Sequence, residues 1–186
     1  MINKRAILLV FVFVLASCAS PAKPNMHNTM AERLDRIAAL LQNQATDKDT
    51  ANAPIFLRQD DTPNASTDGQ AVYITAGLMN SVSDLALALI IAHELGHISL
   101  GHYWSQSPLE QLEQEADRYG LFLLARAGLD YQEAVQLPIA TQTPHEKVPH
   151  THGQLPPNYG TNRAANFRLV IAEIEALKAK GVSITP

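Results

Sequence analysis

From Leu85 to Ile98 the chain is apolar on nearly every side of a helix, through Leu85, Leu87, Leu89, Ile90, Ile91, Leu95 and Ile98, yet it carries His93, Glu94 and His97 in the middle. A helix apolar all round belongs at the centre of a domain. Imidazole and carboxylate groups are costly to bury there without partners, and a metal ion is a partner that suits them. Histidines four apart stand one turn apart on one face, so both can reach one zinc ion. Glu94 is turned to the side of that pair, where its carboxylate can hold a water and accept its proton. The pattern His93-Glu94-Leu95-Gly96-His97 therefore implies metal-assisted peptide hydrolysis, with two ligands and a base in one turn.

A catalytic zinc needs a third protein ligand and an open position. The next helical segment, from Pro108 to Ala127, offers Glu113, Glu115 and Asp117. Glu113, Ala116, Asp117 and Gly120 share one face, whose small residues permit close approach to the histidine helix. Glu115 is turned the other way and more naturally faces water, so Glu113 is the expected ligand. His102 lies five residues after His97, about 140° further round a continued helix, which reads as a cap or an outer support rather than a ligand. Asp117 is expected to orient a ligand or to pair with Arg163.

The rest of the chain frames these elements. Residues 29–44 have the spacing of an amphipathic helix, 46–53 are polar, and Pro54–Leu57 and Ala71–Thr75 read as strands on either side of a turn-rich stretch from Asp60 to Gly69. Gly77 and Asn80 break the pattern before Ser81 or Ser83 caps the central helix near Asp84. Ser107-Pro108-Leu109-Glu110 has the form of a capping box with proline in the first turn, and Gly128 ends that helix. Asp130 to Glu133 opens a short helix. Residues 138–160 are rich in Pro, Thr and His and read as irregular, and a last amphipathic helix runs from about Asn162 to Lys180. With 186 residues, 46% of them hydrophobic, the chain suits one domain with a substantial core.

Residues 1–17 carry Lys4 and Arg5, an apolar run from Ala6 to Leu15, then small residues, the layout of an export signal. Leu15-Ala16-Ser17-Cys18 resembles a bacterial lipobox, so Cys18 is expected to be lipidated with fatty acid such as palmitate. Residues 18–28 would form a lipidated tether and 29–186 the folded domain. Ala19 stands where an aspartate would signal inner-membrane retention, which favours the periplasmic side of a Gram-negative outer membrane. Cys18 is the single cysteine, so its acylation leaves no disulfide for the domain. Removing Lys4 and Arg5 with the signal takes the formal charge from −4 to about −6, which excludes nucleic acid as a natural partner.

Asn64-Ala65, Tyr73-Ile74-Thr75-Ala76-Gly77-Leu78, the run from His93 to His102 and the run from Glu113 to Gly120 together resemble the HtpX-type peptidases, a family that includes the CAAX prenyl proteases and small periplasmic lipoprotein peptidases. The resemblance implies an α+β, mostly helical, gluzincin-like domain with a small sheet beside the buried helix. It also implies one Zn2+ held by His93, His97 and Glu113, and polypeptide substrates drawn from unfolded or misassembled envelope proteins. The family's edge strand above the zinc suggests that Ala71–Thr75 binds extended peptide by strand addition. Family members have a His-Pro element before the arginine that opens the last helix. Here His150-Thr151-His152-Gly153 precedes Arg163 without proline, so His150, His152 and Tyr159 all stand as candidates for an oxyanion donor or a reversible fourth ligand. A closed site of that kind would instead describe a catalytically silent, zinc-stabilised binding or assembly lipoprotein, but Glu94 has no purpose in a structural site.

Overall fold

The computed structural model describes residues 26–137 and 158–185. Its elements run α1 (Met26–Gln42), α2 (Lys48–Asn52), β1 (Ile55–Arg58), β2 (Ala65–Thr67), β3 (Val72–Thr75), α3 (Ala76–Ser81), α4 (Asp84–Ser99), a 3-10 turn (His102–Trp104), α5 (Leu109–Arg126), α6 (Tyr131–Ala134) and α7 (Tyr159–Ala179). The fold is mostly helical with one three-stranded sheet, in agreement with the α+β, gluzincin-like class.

The centre is α4, as its all-round apolar surface requires. Leu87, Ile91, Ala92 and Leu95 have no exposure, and each buried Leu or Ile contributes about 1.5–3 kcal/mol. Ser83 caps the helix, its hydroxyl accepting from Ala86 N, and Arg33 of α1 fixes the approach by bonding Asp84 and the carbonyls of Met79 and Val82. Against α4 lies α5, which adds Leu121, Phe122, Leu123 and Leu124 to the core and is backed in turn by α7.

Three segments differ from the sequence expectation. Lys48–Asn52 within the polar stretch is a short helix capped by Asp47, whose side chain accepts from Thr50 N. Gly77 does not break the chain but lies inside α3, where a Cβ would stand 2.1 Å from the Asp61 carbonyl oxygen; glycine is there to let two backbones touch. The capping box at Ser107 does not form: Pro108 itself is the N-cap of α5, and no side chain caps it. By contrast Gly128, at φ +70°, follows the end of α5 as its turn chemistry demands.

The sheet has the order β1-β3-β2, with β1 parallel and β2 antiparallel to β3. This corrects the strand-addition role expected for Ala71–Thr75. β3 is the middle strand and is bonded on both sides, so it has no edge to offer. The strand that packs on α4 from the sheet's edge is β2, hidden in the stretch read as turns.

Candidate metal centre

One turn of α4 brings His93 and His97 to the same face, both nearly buried, with Nε2 atoms 3.1 Å apart. The close seating of α5 then supplies the third group. A Cβ on Gly96 would be 3.0 Å from the Ala116 oxygen, and one on Gly120 would be 3.1 Å from His93 N, so both contacts depend on the missing side chain. That proximity delivers Glu113, whose oxygens lie 3.3 Å from His93 Nε2 and 3.5 Å from His97 Nε2. These three residues form a cluster able to hold a metal ion.

The separations fit an ion of a particular size. Metal–ligand bonds of about 2.0–2.1 Å in a tetrahedron put neighbouring ligand atoms roughly 3.3 Å apart, a value that falls within the 3.1–3.5 Å spacings of this cluster. Two nitrogens and one carboxylate oxygen also match the donor set of catalytic zinc sites. Glu94, 1% exposed, sits one position from His93 on the same helix.

Each histidine is held from behind. His93 Nδ1 lies 2.8 Å from Asp117 Oδ1, and Asp117 is itself gripped by Arg163, with Nε at 2.7 Å and Nη2 at 2.6 Å from its two oxygens. All three are buried, Asp117 completely. Burial alone would push His93 down, but the bonds to Asp117 and Glu113 outweigh it and hold the metal-free imidazole up at about 10. Burial would raise Asp117 and Glu113; Arg163 and His93 keep the first well below the usual carboxylate range, and His93 and His97 do the same for the second.

His97 is backed by His102, Nδ1 to Nδ1 at 2.9 Å, and His102 Nε2 lies 3.2 Å from Glu115 Oε2. His102 is thus an outer support, as the sequence suggested, but not for the reason given there. The 140° offset assumed a continued helix, but α4 ends at Ser99 and Gly101 at φ +66° turns the chain back, so His102 returns beneath His97. Glu115 does face water, with 43% of its side chain exposed, but one oxygen turns in to His102. A glycine two residues beyond the helix was the signal that could have revealed the turn.

Tyr159 opens α7 at 2% exposure, and its buried hydroxyl has no hydrogen-bond partner among the described residues. Burial and the nearby Asp117 push the phenol up, so it stays protonated and able to donate. His150, His152 and Cys18 lie outside the described residues.

No match is found among curated proteins. A family model described as peptidase family M48 matches residues 28–112, from α1 into the first turn of α5; the chain is similar to that metallopeptidase family over the stretch that carries His93, Glu94 and His97, and the match stops one residue before Glu113.

Proposed function

We propose that the chain is a zinc-dependent endopeptidase of the cell envelope that cuts unfolded or misassembled proteins. The observation that carries this reading is the convergence of His93, His97 and Glu113 on one point with Glu94 buried beside them. A structural site would be served by the ligands alone. Zinc, when bound, supplies the Lewis-acid charge that polarises a scissile carbonyl and acidifies a water. Glu94 accepts the proton as the water oxygen bonds to the carbonyl carbon, and hands it to the nitrogen as the carbon–nitrogen bond breaks. Tyr159 is the proposed donor to the carbonyl oxygen, where its hydroxyl would gain a partner that it lacks among the described residues.

Extended substrate is proposed to lie along β2. Asn64 O accepts from Thr75 N, and Asp68 N donates to Ala71 O. The alternation of an antiparallel pair then turns the backbone groups of Ala65 and Thr67 away from β3, toward an added strand. Such binding favours exposed backbone, as unfolded chains present it. Placement in the envelope rests on the export pattern ending at Cys18, with lipidation as the anchor to the outer membrane; no helix among the described residues is long and apolar enough to cross a membrane.

Glu94→Gln keeps the shape of the side chain but cannot take the proton. Zinc-loaded wild type is expected to cut casein, and zinc-loaded Glu94→Gln to leave it intact. No cutting by either would leave the silent zinc-stabilised lipoprotein as the better description, and equal cutting by both would show that Glu94 is not the base.

A further inference from the structure

We propose that His102 and Glu115 form a positioning relay that fixes the proton of His97 on Nδ1 and so keeps its Nε2 open as a metal ligand. The inference rests on the metal-centre reading above and extends it to two residues outside the ligand set. A neutral imidazole has one ring proton, so one nitrogen donates and the other accepts. Glu115, as a carboxylate, only accepts, which sets the direction of the whole chain. His102 must then donate from Nε2 across the 3.2 Å contact, leaving its Nδ1 as an acceptor. The 2.9 Å contact between the two Nδ1 atoms is a hydrogen bond only if His97 supplies the proton. His97 Nε2 is thereby left with its lone pair, and that is the atom facing His93 Nε2 and Glu113.

The two histidines are thus oriented by different means. His93 leans on a buried carboxylate clamped by an arginine, whereas His97 leans on a neutral ring, 4% exposed, whose outer partner reaches solvent. Gln111 Nε2 donates to Glu115 Oε1 at 2.8 Å and holds the carboxylate for this contact. The left-handed conformation of Gly101 is what brings the relay under the site.

The test uses the full-length protein, loaded with zinc or with cobalt(II) as a spectroscopic probe. His102→Phe removes the acceptor at similar bulk, His102→Gln retains an acceptor oxygen, and Glu115→Ala removes only the outer group. The expected result is a zinc dissociation constant raised about 10–100-fold in His102→Phe, largely restored in His102→Gln, and raised only a few-fold in Glu115→Ala, where water can replace the carboxylate. The cobalt absorption bands should shift in the same order, and the metal-free variants should melt close to the wild type. Unchanged zinc affinity and cobalt spectrum in His102→Phe would overturn the proposal, as would a loss in His102→Gln equal to that in His102→Phe. A wild type that binds neither ion would instead remove the metal-centre reading itself.

Discussion

Gly120 of α5 is seated against the backbone of His93 so closely that a Cβ placed on it would lie 3.1 Å from His93 N and 3.4 Å from its Cα. Two helices meet there without side chains between them, and Glu113, two turns earlier on α5, reaches the histidines as a result. Gly120→Ala forces the helices apart by a few tenths of an ångström. Overpacking of this kind costs about 1–3 kcal/mol, so a lower melting temperature is expected together with weaker zinc binding. Thermal unfolding with and without zinc checks both effects. A variant with unchanged melting and affinity would show that the contact has slack.

The second prediction concerns Asp117, which holds His93 on one side and Arg163 on the other. Asp117→Asn leaves the buried guanidinium without its counter-charge, a loss of about 3–5 kcal/mol, and leaves one neutral amide oxygen to serve both His93 and Arg163, so the support of His93 weakens, with a loss of about 10–100-fold in metal affinity. In an Arg163→Met background the same change should cost clearly less stability, because no charge is stranded. Denaturant titration of the four proteins of that cycle measures the coupling. Additive losses would mean that the two residues do not act as a pair.

A third prediction follows from the metal-free state of His93. Its folded value of about 10 lies above the ordinary 6.5, so its contribution to stability is fully present below 6.5 and is lost as pH rises through about 10. Metal-free protein should unfold at lower denaturant near pH 10 than near neutrality. Zinc must displace that proton, so binding near neutral pH should release it, which calorimetry in buffers of different ionisation enthalpy detects. Binding without proton release would contradict the charge state assigned to His93.

Much of this was legible in the sequence because the signals are local. The apolar run around His93 and His97 fixed a buried helix with ligands on one face, and the small residues Ala116 and Gly120 beside Glu113 pointed to close helix contact. What escaped depended on partners distant in the chain. β2 is three residues long and is a strand only because β3 pairs with it. Gly77 looked like a breaker, whereas its function is to admit the Asp61 carbonyl. His102 was read as a cap or outer support, but it was placed by continuing a helix that in fact ends at Ser99, so its contact with His97 and the role of Glu115 were missed. Pro108 shows the opposite error: a local pattern of good form, Ser107 to Glu110, shifted by one residue when the helix started.

Cys18 is expected to be the lipid anchor, because residues 1–17 read as an export signal that ends on it. Cys18→Ala should abolish incorporation of labelled fatty acid and leave the protein in the soluble periplasmic fraction. Label retained by the variant would remove the lipoprotein assignment.

The central claim, that His93, His97 and Glu113 together hold one zinc ion, is tested most directly by elemental analysis of zinc per chain in purified wild type and Glu113→Ala, with Glu115→Ala alongside. The expected result is one ion per wild-type chain, one in Glu115→Ala at saturating zinc, and close to none in Glu113→Ala, since two imidazoles alone do not complete the site. Full zinc in Glu113→Ala, or none in the wild type, would contradict it.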